Sequence, residues 1–387
     1  MSDRAHFRLE VFCGVSGFER LKPDWKSLIL PANATGFYHC AEWYEAYLEF
    51  LEDAPESFRF YGVFEADTLV AVFPLRKCVR SFFGIRFLSL ELPRHAHMPL
   101  GDIILPATDR AGEIWRFFLE QLDPQSDECW DFIRLSEVPE NSTLSSVLTQ
   151  MASLKVLKNR MHGCLYCSCS TPEDLPQTLS RSFRKSLRNA RNRLSRKGDA
   201  SFFIAQDAEE TERGFQDFLR LEASGWKAES GTAIALDSRL AGFYQRLTET
   251  FGSEGCVLDI LSVDGQAIAA NFNLLTGTTL YGLKTGIDDQ YRPFSPAHLL
   301  MEQELTQTDG FPQKPEILNF VGDASWTSLW KPASMYVFDV YVFNTRTKAN
   351  VAFAWVALEY RLRMFYRRTL KPLIKRLKKT PNKKLKA

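Results

Sequence analysis

Residues 292–300 read Arg-Pro-Phe-Ser-Pro-Ala-His-Leu-Leu and follow the strand-like run "LYGLKTGIDDQY" (280–291). A strand here feeds a loop that opens a helix. The start of a helix offers unpaired N–H groups and the positive end of the helix dipole, which suits a phosphate or pyrophosphate. Ser295 is a good N-cap and Pro296 suits the first helical position, so plain helix punctuation reads the same residues equally well. A second cluster, His162, Cys164, Cys167 and Cys169 in "MHGCLYCSCS", contains zinc-type ligands. Its spacing puts Cys167 and Cys169 on one strand face and Cys164 on the other, which predicts a strand of small buried thiols and no metal. There is no Walker motif, no G-x-G-x-x-G opening a helix, no His-x-x-x-His pair and no Gly-x-Ser-x-Gly elbow.

The elements that must position these residues follow from periodicity. In the first half, 39–52 predicts an amphipathic helix with Trp43, Tyr47 and Leu51 on one face. Two strands joined by an acidic turn fill 58–79. A helix at 112–122 and strands at 130–138 and 162–170 follow. The second half repeats this rhythm. A strand at 201–207 precedes a helix that Asp207 and Glu210 cap and that runs to about Gly225. A helix at 239–251 leads into strands at 256–265, 266–277 and 279–287, with Asp264-Gly265 at a hairpin tip. A helix at 296–310 with Gly310 as C-cap and a strand at 315–323 close the series. This order predicts an α/β fold with a mixed sheet and helices on both faces, weakly duplicated.

Between the halves, 181–198 holds eight Lys/Arg in its first 17 residues and no acid, with Phe183, Leu187, Ala190 and Leu194 at helical spacing. It reads either as a solvated connecting helix or as a contact for a polyanion such as CoA phosphates, tRNA or anionic lipid. The net charge of +1 hides an asymmetry. From Arg361 to the end there are 12 Lys/Arg and no acid, which leaves a body of net charge −11. The helix predicted at 350–379 carries a stripe of Val351, Trp355, Leu358, Leu362 and Phe365 beside Arg361, Arg363, Arg367 and Arg368. It reads as docked on the body over 350–366, with a basic tail that suits an anionic membrane surface beyond. The mixed-charge N-terminus has no apolar h-region, and no apolar run nears the ~20 residues of a membrane span. The expected location is cytoplasmic, with room for a peripheral place at the inner face of the membrane.

The second half resembles the GNAT acyltransferase superfamily. That family binds acyl-CoA at this strand–loop–helix junction through an Arg/Gln-x-x-Gly-x-Gly/Ala loop. Arg292 and Ala297 match its first and last positions, and Ser295 stands at the central Gly. Three blocks, 221–234, 281–300 and 318–332, are similar to the tandem-GNAT subfamily of cellulose-biosynthesis-type acetyltransferases, related to Fem-type peptidyltransferases. The resemblance implies a degenerate GNAT-like domain at 5–160, a linking strand and basic helix at 161–200, a GNAT acyltransferase domain at 201–345, and an amphipathic helix and basic tail at 346–387.

It implies acyl transfer from acyl-CoA, without metal, to an amine or hydroxyl of a small molecule or of an envelope or polysaccharide precursor. The alternatives are a Fem-like transferase fed by aminoacyl-tRNA, in which case nucleic acid is a partner, and a membrane-tethered scaffold without catalysis. Within that frame Asp288 and Asp289 are candidate bases and Tyr291 a candidate acid. Arg292, Ser295, Ala297 and His298 would hold the donor. Trp226, Lys227, Lys284, Asp323, Trp330 and Lys331 would meet the acceptor, although core packing for Trp226 and an Asp323 pair with Lys284 or Lys331 serve as well.

Overall fold

Among the described residues, alternating apolar residues and tight turns build twelve strands that join edge to edge in one mixed sheet. The computed structural model describes residues 7–28, 36–82, 84–122, 130–151, 154–169, 174–224 and 231–371. The first half runs β1 (Phe7–Cys13), α1 (Gly14–Ser27), α2 (Ala41–Ala46), β2 (Phe58–Glu65), β3 (Thr68–Phe82) and β4 (Ile85–Glu91). It continues through α3 (Ala111–Gln121), β5 (Phe132–Pro139), α4 (Thr143–Gln150) and β6 (Lys155–Ser168). Helices α5 (Leu175–Thr178) and α6 (Arg181–Leu194) lead into β7 (Ala200–Ile204), α7 (Ala208–Glu222) and α8 (Ser238–Gly255). Strands β8 (Cys256–Val263), β9 (Gln266–Thr276) and β10 (Thr279–Ile287) follow. Then come α9 (Pro296–Thr306), β11 (Ile317–Asn319), β12 (Ala333–Phe343) and α10 (Thr347–Phe365).

The strand order is β1-β2-β3-β4-β5-β12-β6-β11-β10-β9-β8-β7. Two strands therefore trade places. β6 closes the first half in sequence but pairs with β11, while β12, the last strand, pairs with β5. β6 and β12 lie side by side as the seam. One face of the sheet carries a core common to both halves, in which Trp43 and Tyr44 of α2 pack with Phe243, Tyr244 and Phe272. On the other face α3 and α4 cover the first half, and α6 and α9 cover the second.

Local chemistry explains most boundaries. Asp207 caps α7 by accepting the Glu210 N–H at 2.8 Å, and Ser180 caps α6. Asp264 (φ 50) and Gly265 (φ 78) make the β8–β9 turn with both central residues left-handed. Phe183, Leu187, Ala190 and Leu194 are buried, as the basic helix's stripe predicts. Cys164 enters the common core while Cys167 and Cys169 face the opposite layer.

Three expectations are corrected. Helix α9 ends at Thr306 and Gly310 lies in a separate turn, because Gln307 already takes the cap by donating to Gln303 O. β11 is only three residues long, since the chain turns at Val321 (φ 48). On α10 the expected stripe faces outward: Val351, Leu358, Leu362 and Phe365 are each about half exposed. The helix docks instead through the small Ala349 and Ala352 and through Val356, against Phe87, Phe132 and Phe343. Among the described residues no helix is long and apolar enough to cross a membrane.

Candidate active site

The site begins with an irregularity in β10. Its residues pair in step with β9 up to Gly282↔Asn273 and resume at Lys284↔Phe272, so Leu283 is an extra residue in the ladder. A bulge of this kind reverses which face each later side chain takes. Lys284 therefore aligns with Phe272 on the face of α7 and α8, near His95, while Thr285 turns to the face of α9. Gly286 is needed here, because a Cβ would stand 2.6 Å from Glu222 N and 2.9 Å from the Leu221 carbonyl carbon of α7.

β10 and β11 run parallel and pair only over Thr279–Tyr281 and Ile317–Asn319. Beyond that point the ladder stops and the strands part, leaving a wedge. A cavity of about 70 Å³ occupies it, lined by Gly282, Thr285, Ala297, Met301, Phe320 and Trp326 among others. Its floor is a buried polar network. Asn273 Nδ2 donates to Asp259 Oδ1 at 2.5 Å and to Glu304 Oε1 at 2.8 Å. Asn271 Nδ2 donates to Asp259 Oδ2 at 3.1 Å and to Glu304 Oε1 at 3.0 Å, and Asn271 Oδ1 accepts from Thr285 at 2.7 Å. Burial and mutual repulsion raise the Asp259 pKa well above the usual carboxylate range. Burial also raises Glu304. Two carboxyls sharing one buried site disfavour ionisation together. Asn273 Oδ1, buried and lining the wedge, accepts no hydrogen bond.

The loop from β10 to α9 wraps the wedge's outer edge. Asp288 Oδ1 accepts the Gln290 N–H at 2.9 Å, and Asp289 pairs with Arg292. Tyr291 packs with Phe294 and against the core that includes Leu299 and Leu300. Ser295 does not cap α9 with its side chain. It sits in the left-handed conformation (φ 55, ψ 49), where glycine is the unstrained choice. The loop thus keeps a glycine-type bend without the glycine. His298 is half-buried, accepts from Trp330 Nε1 at 3.1 Å and is held toward its neutral form by burial. Ala297 lines the wedge.

Helix α6 lies against this loop. Arg193 donates to Pro293 O at 2.8 Å and Arg191 pairs with Glu302 of α9 at 2.5 Å. Ser186, Asn189, Asn192, Arg193 and Arg196 line an open basic hollow on its outer side. The predicted donor residues and the basic helix therefore converge on one edge.

The predicted acceptor residues do not form one cluster. Trp330 is buried against Phe183, and Lys331 is a left-handed turn residue. Asp323 lies beside Gly163 and His162 on another groove. Trp226 and Lys227 lie outside the described residues. Sequence reasoning missed the asparagine–carboxyl floor, whose signal was the pair Asn271 and Asn273 alternating inside an otherwise apolar strand.

Residues 181–307, from the start of α6 through α9, match the Acetyltransferase (GNAT) domain family. The match takes in β7 to β10 and ends with α9, before β11 and β12. The fold of both halves together is that of two solved structures. FemX shares 11% identity over 83% of this chain and 95% of its own, with a TM-score of 0.53. A conserved protein of unknown function from Bacteroides thetaiotaomicron VPI-5482 shares 12% identity over 84% of this chain and 97% of its own, with a TM-score of 0.51. No curated protein matches the sequence.

Proposed function

We propose that the second half transfers an acyl group from acyl-CoA to an amine or hydroxyl. The observation that carries this is the wedge between β10 and β11, with the buried Asn273 Oδ1 lining it and the basic edge of α6 outside it. An extended thioester arm with amide N–H groups suits such a slot: an amide would give Asn273 Oδ1 its missing donor. The anionic end of the donor would lie by Arg193 and Arg196, at the start of α9. Arg292, Ser295, Ala297 and His298 would shape that end. Asp288, Asp289 and Tyr291 would line its rim, and Lys284 would face the acceptor side. Orientation and charge stabilisation of the addition intermediate would supply the rate.

Calorimetric titration of acetyl-CoA tests the donor. We expect one site, with the double variant R193E/R196E weakening it by roughly tenfold, about 1.4 kcal/mol, and more steeply at low salt. Absence of binding, with salt-dependent binding of charged tRNA instead, would move the donor to aminoacyl-tRNA. The likeness in fold to FemX and the basic face of α6 favour that second reading.

We further propose that the acceptor belongs to envelope or polysaccharide precursors and that the protein meets an anionic membrane surface through α10. The exposed Leu358, Leu362, Phe365, Tyr366 and Leu370 beside Arg361, Arg367 and Arg368 support this. Flotation with phosphatidylglycerol vesicles, lost in a chain ending at 360, is the expected result. Flotation unchanged by that truncation would refute it.

A further inference from the structure

A groove of about 760 Å³ opens beside the wedge, lined by Arg94, His95, Met98, Glu137, His162, Val321 and Asp323 among others. The wedge and the groove share a wall, since Phe320 and Ala324 line one and Val321, Gly322 and Asp323 line the other. Parts of both halves and both seam strands' neighbours build it. Arg94 and His95 come from the segment after β4, Glu137 from β5, His162 from β6, and Val321 and Asp323 from the end of β11.

Two of these residues hold left-handed backbone: Glu137 at φ 58 and Val321 at φ 48. For a β-branched valine this is a strong outlier, and such strain concentrates at working sites. Two ladder irregularities accompany it. Ser136 and Glu137 of β5 together oppose Asp339 of β12, and Met161 of β6 is extra between His162↔Val337 and Arg160↔Phe338. β12 lies between β5 and β6, yet Glu137 Oε2 and His162 Nε2 meet at 2.9 Å across it. The other ring nitrogen of His162 faces Gly163 O at 2.9 Å. The hydrogen bond to Glu137 raises the His162 pKa, against a lowering by burial, and Asp323 adds to the rise. The imidazolium so favoured has both N–H groups engaged. It holds the Glu137 carboxylate in place, and a carboxylate keeps lone pairs for a further donor.

We propose that this groove is the acceptor subsite for a primary amine, that Glu137 takes the amine's proton, and that His162 is the positioning residue for Glu137. This rests on the acyl-transfer reading above. The amine enters as an ammonium between Glu137 and Asp323, and Glu137 takes one of its protons. The freed lone pair forms the C–N bond at the thioester carbonyl. The C–S bond breaks, the thiolate takes the second N–H proton from the nitrogen, and Glu137 returns its own proton to solvent. Amide and free thiol are formed, and one proton is released overall.

The test compares two nucleophiles with acetyl-CoA as donor, reading thiol release at pH 7. Ethanolamine is an ammonium there and needs a base, whereas hydroxylamine is already neutral. E137Q should lose ethanolamine turnover by about 10²-fold or more, and keep hydroxylamine turnover and acetyl-CoA affinity. H162A should lower kcat for ethanolamine with little change in its KM, and H162Q, which can still donate to Glu137, should restore part of it. Equal loss with both nucleophiles, or none, overturns the proposal. Failure of the wild-type protein to bind acetyl-CoA would count against the donor reading alone. The groove is then judged separately by the His162 imidazole NMR resonance during ethanolamine titration. A saturable shift that E137Q and D323N weaken supports it, and no shift overturns it.

Discussion

The two halves share a rhythm of elements but differ where a wedge could form. In the second half β10 carries a bulge, pairs with β11 only at its beginning and then departs from it. In the first half β4 pairs with β3 without interruption, and its final residues Ser89–Glu91 pair with Phe132–Arg134 of β5. The Leu92 N–H extends that ladder to Arg134 O at 2.9 Å, so no gap opens. The layers beneath differ in the same sense. Under the second half lie Asn271, Asn273, Asp259 and Glu304. Under the first lie Tyr61, Val63, Ala71 and Phe73, with Phe73 stacked on Phe118 at 3.9 Å. One half keeps a slot with a polar floor and the other fills that layer with rings. The first half's contribution moves to its long segment 92–110, where His97 meets the Tyr244 hydroxyl of α8 at 2.9 Å. The same rhythm of elements thus ends in two different layers, one with a polar slot and one packed with rings.

The largest way to sharpen this contrast is Phe118→Ala. It should cost about 3–5 kcal/mol in urea unfolding, because a fully buried ring stacked on Phe73 is lost. Acetyl-CoA affinity of the folded fraction should not change; a parallel loss of affinity would show that the halves do not divide their roles.

Next is Asn273→Leu, which gives the second half an apolar floor like the first. It removes the amide that serves both Asp259 and Glu304 and should cost about 1–3 kcal/mol. Acetyl-CoA affinity should fall with it. Retained affinity would remove Asn273 from the donor site.

The same floor sets a pH dependence. Glu304 rises in the folded state from 4.5 to about 7, so the folded protein binds more protons than the unfolded chain in that window. Stability should therefore be highest below about pH 4.5 as far as this group is concerned, and decline as pH rises toward 7. Glu304→Gln should flatten that slope in urea titrations across the window. An unchanged slope would show that the pair ionises freely.

The smallest effect is expected of Ser295→Gly. Relief of a left-handed serine should stabilise by up to about 1 kcal/mol, read as a rise in Tm, with donor affinity kept or improved. A loss of stability would show that Ser295 is held by something other than its backbone bend.

Most elements were legible because local signals decide them: the Asp-Gly hairpin tip, the Asp207 cap, the stripe of α6 and the thiol alternation in β6. The bend at 295 was visible as a departure from a glycine pattern, but its left-handed geometry was not, since a serine there looks like an ordinary cap. The outward stripe of α10 misled because a periodic apolar face normally marks the buried side. Here Ala349 and Ala352 let the helix approach closely on the other. The exchanged strands, the polar floor and the Glu137–His162 pair depend on partners far apart in sequence, and periodicity carries no information about those.

The exchange of β6 and β12 also governs how the chain can be made. Residues up to 150 emerge from the ribosome long before β12, at 333–343, which β5 needs as its neighbour. Until then the first half has an open edge at β5, and β6 has neither of its partners. The halves cannot mature one after the other, as independent domains do during synthesis. Completion waits until β12 at 333–343 has been made, with the slow search that long sequence separations impose. A ribosome-bound chain stopped before 333 should expose a strand edge that invites association with other chains. Separately expressed halves cut at 198 should be insoluble apart and recover only when produced together.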